Sequence, residues 1–221
     1  MNKKTVIMLS GGIDSTTLAY YLKDKKHDLH ALSFYYGQKH HKEILVAEEM
    51  AKILQIPFKL VDIRNVGKLL KSSLTSKKEK VPEGHYAEKV MKSTVVPNRN
   101  MIMLSIAAGY AKSIKATTVA FAAHAGDHFI YPDCRPDFVT NMRLALASSF
   151  GYEKPFPELI APFIALDKVD IVRLGTMLKV PFGLTWSCYK GLEKHCGKCG
   201  TCVERKEAFK LAGIKDLTEY E

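Results

Sequence analysis

The sequence predicts an α/β fold, a doubly wound parallel sheet, and three observations carry that prediction. Short continuous apolar runs alternate with segments of helical periodicity, a glycine loop joins the first run to the first such segment, and polar clusters stand where the strands would end. The run "KKTVIML" suits a strand buried on both faces, and "DSTTLAYYLKDKK" then shows helical spacing at Leu18, Tyr21 and Leu22. The unit repeats. "DLHALSFYYG" reads as a strand, "HKEILVAEEMAKILQ" as an amphipathic helix with Ile44, Ala47, Met50 and Ala51 on one side, and "FKLVDI" as a third strand. That is a βαβαβ start with right-handed crossovers expected.

From Asn65 to Val96 the pattern decays into Lys, Ser, Pro and Gly, which suits a surface excursion or lid more than a core element. "NRNMIMLSIAAGYAKSI" resumes as a helix, "TTVAFAA" follows as a strand, and "RPDFVTNMRLALASSF" and "DKVDIVRLGTML" read as helices. A cysteine-rich segment and a terminal helix close the chain. The organisation expected is an α/β domain over 1–185 and a small C-terminal four-cysteine segment over 186–221.

At 221 residues there is length for one well-buried domain and a small appendage. No stretch approaches the roughly 20 apolar residues of a membrane span, and the N-terminal apolar run is too short for a signal peptide. A soluble, cytoplasmic chain is expected. The net charge of +10 attracts polyanions, either nucleic acid or nucleotide substrates steered by the field. The lysine runs "KDKKHD" and "KSSLTSKKEK" lack the interleaved aromatics of a single-strand binding groove and read as solvated helix ends and loop.

The loop "SGGIDST" carries the first chemical signal. Gly11 and Gly12 let the backbone approach an anion, Ser10, Ser15 and Thr16 offer hydroxyl groups, and the helix from Asp14 onward aims its positive end at the same place. The Walker pattern and the dinucleotide fingerprint are both missing, and no lysine stands in the loop. A plain capped glycine turn would account for Asp14 and Ser15 alone. The second signal is C-x7-C-x2-C-x2-C at Cys188, Cys196, Cys199 and Cys202. Four thiolates suit a closed, structural Zn²⁺ site. An iron–sulfur cluster is the rival, although the closing x3-C-P of the ferredoxin run is missing.

Two further clusters follow. Asn98, Arg99 and Asn100 in "VPNRN" precede a helix, where they either converge on an anion or, for Asn98, cap the helix. "AAHAGDHFIYPDCRPDF" gathers His124, Asp127, His128, Asp133, Arg135 and Asp137 after a buried strand. Carboxylates there suit Mg²⁺ or a purine-like edge, and Arg135 has the planar fork to clamp a carboxylate. His124 and His128 are the candidate bases.

"SGGIDST" after a buried strand resembles the PP-loop of the N-type ATP pyrophosphatases, an adenine-nucleotide alpha hydrolase-like fold. Together with "YGQKH", "VPNRN", "HAGDH.IYPDCRP.F", "TWSCY" and "HCGKCGTCVER..AF", it resembles the 7-cyano-7-deazaguanine synthase family of queuosine precursor biosynthesis, from residue 5 to about 210. The resemblance implies a ligase that converts 7-carboxy-7-deazaguanine, ammonia and ATP to the nitrile through an adenylated carboxylate and an adenylated amide. It assigns Ser10, Gly11, Gly12, Ile13, Asp14, Ser15 and Thr16 to ATP pyrophosphate and Mg²⁺, with Ser10, Asp14 and Ser15 closest to the chemistry. It also implies Zn²⁺ on the four cysteines, a homodimer and no stable nucleic-acid partner. Arg99, Asp127, Asp133 and Arg135 are expected at the deazapurine from their placement. The competing reading is a PP-loop enzyme of tRNA modification, a thiolase or lysidine synthetase, which usually carries an added RNA-binding domain. A zinc-containing binding module with a degenerate loop is the non-enzymatic alternative, against which the intact glycines and serines stand.

Overall fold

The computed structural model describes residues 2–76, 78–85, 89–152 and 154–221. Five strands form one sheet: β1 (Lys4–Met8), β2 (Asp28–Tyr35), β3 (Phe58–Asp62), β4 (Thr118–Ala120) and β5 (Glu158–Ile160). Their order is β3-β2-β1-β4-β5, and every neighbouring pair is parallel. The helices are α1 (Ile13–Asp24), α2 (Lys42–Ile53), the short α3 (Arg64–Gly67), α4 (Arg99–Ser113), α5 (Pro136–Ser149), α6 (Lys168–Met177) and α7 (Gly200–Ala212). The doubly wound expectation is met. β5 escapes the sequence reading because "ELI" stands between prolines outside any apolar run, whereas the equally short β4 lies within "TTVAFAA".

The period of two along each strand divides the core into two layers. Val6, Leu32 and Val119 face a cluster built from α4 and α5. Ile7, Ala31 and Ala120 point the other way, toward α1, α2, α6 and α7. The four cysteines pack in the first of these clusters, so the C-terminal segment shares its core with the sheet.

The stretch from Asn65 to Val96 is less superficial than its composition suggests, setting aside 77 and 86–88, which lie outside the described residues. Leu74, Val81, Met91 and Val96 are buried in the α4–α5 cluster. Their irregular spacing gave no periodic signal. Among the described residues no helix is long and apolar enough to cross a membrane.

Arg205 of α7 ties the last residues to the body. It is 1% exposed, donates from Nε and Nη2 to the Asp216 carboxylate at 3.0 Å, and from Nη1 and Nη2 to Thr185 Oγ1 and Phe182 O, each at 2.8 Å. Burial pushes the Asp216 carboxyl upward, but the hydrogen bonds and charge of Arg205 outweigh it and hold it below the usual carboxylate value. Arg205→Met is expected to lower stability by about 3 kcal/mol, measured by urea unfolding, because it removes the partner of a half-buried carboxylate. The folded-state value is depressed, so this stabilisation is present above the unfolded pKa and is lost as pH falls through the folded one. The stability gap between wild type and Asp216→Asn should therefore be full at neutral pH and close below about pH 4.

Candidate active site

The chain leaves β1 for β2 and β3 on one side of the sheet and returns to β4 and β5 on the other, which opens a crevice beyond the carboxyl ends of β1 and β4. A cleft lies there, about 1250 Å³ counted to its open mouth.

The glycine loop forms one end. Gly11 adopts φ +76°, and a Cβ there would stand 2.8 Å from both Ala47 N and Glu43 O of α2. Only glycine lets the loop lie this close to α2. Gly12, in extended conformation, is the residue before α1 and receives no side-chain cap. Ser10 N donates to Ser15 Oγ at 3.1 Å, and the Ser10 and Ser15 hydroxyls are 3.0 Å apart. The first amides of α1 thus remain for an anion. Ser10, Gly12, Ile13, Asp14 and Ser15 line the cleft; Gly11 and Thr16 do not, and Thr16 is fully buried.

Beside the loop sits a charged cluster. Lys168, the first residue of α6, donates to both oxygens of Asp14 at 2.9 and 2.7 Å and lies 3.3 Å from Glu204. Burial works against ionising Asp14, yet Lys168 and His124 outweigh it and hold its carboxyl below the usual range. Burial, with the nearby Asp127 and Asp14 carboxylates adding to it, pushes Glu204 up against the pull of Lys168 and His124. His124 is 1% exposed and accepts from Gly126 N at Nδ1, 3.1 Å, so the proton of a neutral ring is on Nε2, which points at Asp14 and Asp127, 3.8 and 3.5 Å away. Neither His124 nor His128 lines the cleft. Sequence reasoning missed Lys168 and Glu204, which read only as members of helices.

The far end is aromatic. Tyr36, Tyr131, Tyr189 and His40 line it with Arg99, while Trp186 lines the wall beside the glycine loop. The Arg99 guanidinium lies 6.0 Å from the Tyr36 ring centre and bonds the Asn100 side chain, with no carboxylate among the described residues within salt-bridge distance. Burial pushes the Tyr36 phenol up to about 12, leaving it a neutral hydrogen-bonding group. Asp127 joins Arg99 on the cleft wall. Asp133 does not. Its carboxylate accepts from Asn100 N at 2.9 Å and so caps α4, a task Asn98, at φ 58° and without a side-chain cap bond, leaves open. Arg135 is exposed and donates from Nε to His128 O at 2.9 Å, away from the cleft lining.

The sulfurs of Cys188, Cys196, Cys199 and Cys202 all lie within 4.8 Å of one another, and all four residues are buried. One ion about 2.3 Å from each sulfur keeps any two within ~4.6 Å. A multi-iron cluster binds its thiolates to different irons and spreads them further, so the spacing suits a single metal ion. Backbone amides face the sulfurs: Lys190 and Cys196 N approach Cys188 Sγ at 3.4 Å, and Cys199 N approaches Cys196 Sγ at 3.3 Å. The same knuckle builds the cleft wall. Trp186 N donates to Gly11 O at 2.9 Å and Thr201 Oγ1 to Ser187 O at 2.7 Å, which ties the metal segment to the glycine loop. The 79–85 stretch clasps its outer side through the Glu83–Cys199 bridge, the Gly84 N to Lys198 O bond and the Lys190–Glu83 ion pair.

Comparison with known proteins places this arrangement. The chain is 52% identical over 220 residues to the 7-cyano-7-deazaguanine synthase of Caldicellulosiruptor bescii, covering 99% of this chain and 97% of that relative. It is 51% identical over 219 residues to the enzyme of the same name from Rhizobium rhizogenes, covering 99% and 92%. Among solved structures, the NMN synthetase of Francisella tularensis superposes with a TM-score of 0.50 at 18% identity over 97% of this chain and 79% of that one, a likeness of fold alone. The model of the queuosine biosynthesis protein QueC matches residues 4–213, a span that takes in the glycine loop, Arg99 and all four cysteines. A match over that length, with two relatives at half identity, means that the chain belongs to the QueC family.

Proposed function

We propose that the protein is a 7-cyano-7-deazaguanine synthase, a carbon–nitrogen ligase that forms the nitrile from 7-carboxy-7-deazaguanine, ammonia and ATP in one cleft. The observation that carries this reading is that the loop Ser10–Ser15, with the α1 amides behind it, opens onto the same cleft as the guanidinium of Arg99, which makes no salt bridge among the described residues. Ser10, Gly12, Ile13, Asp14 and Ser15 contact the β,γ-phosphates of ATP, with Gly11 and Thr16 holding the loop's shape. The substrate carboxylate attacks the α-phosphorus, the bond to the β-phosphate oxygen breaks, and pyrophosphate leaves with the electron pair. Ammonia then displaces AMP to give the amide. A second adenylation, on the amide oxygen, lets AMP leave as the nitrogen loses its two protons and the nitrile forms.

Asp14 and Asp127 supply hard oxygen donors suited to Mg²⁺, which would neutralise charge on the leaving pyrophosphate. Arg99 and Asp127 read the deazapurine acid. Asp133 acts on it through the start of α4, and Arg135 through the His128 carbonyl. The four cysteines hold structural Zn²⁺, the working unit is a soluble cytoplasmic homodimer, and ammonia enters from solution without a nucleic-acid partner. Arg99→Ala is expected to raise KM for the acid roughly 10- to 100-fold, the weight of a charged hydrogen bond. An unchanged KM removes Arg99 from the substrate site. AMP release by the purified protein should require the deazaguanine acid. Release that instead requires tRNA, with a steep salt dependence, contradicts the reading in favour of a tRNA-modifying enzyme.

A further inference from the structure

Three hydroxyls form a chain behind the aromatic end of the cleft. Thr94 is 1% exposed and stands outside the cleft lining; its Oγ1 lies 2.6 Å from Met91 O and 2.8 Å from the Tyr131 hydroxyl, which is 3.2 Å from the hydroxyl of Tyr189. Each hydroxyl has one proton to give. Two oxygens 2.6 Å apart need a proton between them, and a carbonyl has none, so Thr94 donates to Met91 O. Tyr131 must then donate to Thr94, and Tyr189 to Tyr131.

That direction decides what Tyr189 offers a ligand. Tyr189 lines the cleft, its proton points back into the protein, and only the lone pairs of its oxygen are left for the cleft. Arg99, which only donates, and the Asp127 carboxylate, an acceptor, share the same lining. Around the ring of a 7-carboxylated deazaguanine the carboxylate and O6 are neighbouring acceptors, and N1–H and the 2-amino group are the donors that follow. The acceptors suit Arg99, and the donors need two acceptors. Resting on the proposed deazapurine chemistry, we propose that Tyr189 is a specificity-determining residue whose phenol oxygen accepts from the 2-amino group of the ring, and that Thr94 is a positioning residue that holds Tyr189 in this acceptor state through Tyr131.

The test compares kcat/KM for AMP release with 7-carboxy-7-deazaguanine and with its 2-deamino analogue, in wild type, Tyr189→Phe, Thr94→Val and Thr94→Ser. Tyr189→Phe should lose roughly tenfold on the acid, the cost of leaving a donor without its acceptor, and change by less than about twofold on the analogue. Thr94→Val should show the same split although its side chain does not reach the cleft, and Thr94→Ser, which keeps the hydroxyl, should restore the wild-type values. Equal losses on both rings, an unchanged value for the acid in Tyr189→Phe, or a Thr94→Ser protein as impaired as Thr94→Val would overturn the proposal. A Tyr189→Phe loss confined to KM for ammonium would overturn it in favour of an ammonia site. If Thr94→Val does not fold by circular dichroism, Tyr131→Phe breaks the same chain and must show the same split between the two rings. Nitrile formation by the wild type is scored separately: its absence fails the proposed reaction, whereas its presence without the split fails the assignment of Tyr189 alone.

Discussion

Gly11→Ala is expected to lower kcat/KM for ATP on the order of 100-fold, the usual consequence of misplacing a reactive group by about 1 Å. The cause is local and backbone-borne. A Cβ at this residue would sit 2.8 Å from Ala47 N and Glu43 O, and neither atom belongs to a side chain that can rotate aside. The φ of +76° adds strain for any residue with a Cβ. The loop must therefore lift off α2, and Gly11 O, which accepts from Trp186 N, moves with it. Steady-state release of AMP measures the loss, and a circular dichroism melt checks that the fold survives. Gly12→Ala is the contrast. Its added Cβ would find Ser10 Oγ at 3.5 Å and Trp186 O at 3.6 Å, ordinary contact distances, so its effect should be much smaller. Similar losses in the two variants would mean that the close approach to α2 is not what shapes the loop.

The second large effect is expected at the cysteine knuckle. Cys202→Ser should lower stability by more than about 4 kcal/mol, the range reached when a structural metal site is lost, and should abolish turnover. All four cysteines pack in the cluster beneath α4 and α5, while Ser187, Tyr189, Thr201 and Glu204 from the same segment line the cleft. Loss of the ion would free that wall and the 79–85 clasp together. Urea unfolding with metal analysis measures this: wild type should carry one metal ion per chain, and the variant none. Full turnover by a metal-free protein would contradict a structural role for the site.

The strands β1, β2 and β4 were legible because each lies in an apolar run of the sequence, β3 because "FKLVDI" follows the second helix as a strand-forming string, and most helices because each carries an apolar stripe. β5 was not, since "ELI" between prolines shows neither period. The loop, Arg99, Asp127 and the four cysteines were legible from local strings whose chemistry is carried by their own spacing. Lys168 was not legible, because it lies 154 residues from Asp14 in the chain and its own neighbours signal only a helix start. Asp133 and Arg135 show the opposite difficulty. Their string brings polar groups to the crevice, but side chains two apart in a short 3-10 turn diverge, one inward to cap α4 and one outward to the His128 carbonyl. Sequence spacing does not tell those directions apart.

The most direct measurement is a mass-spectrometric time course of purified protein with Mg-ATP, 7-carboxy-7-deazaguanine and ammonium chloride, counting AMP and nitrile together. Two adenylations in one cleft predict two AMP released for each nitrile formed, with the amide appearing and then disappearing. AMP without nitrile, or one AMP per nitrile, would contradict that sequence of steps.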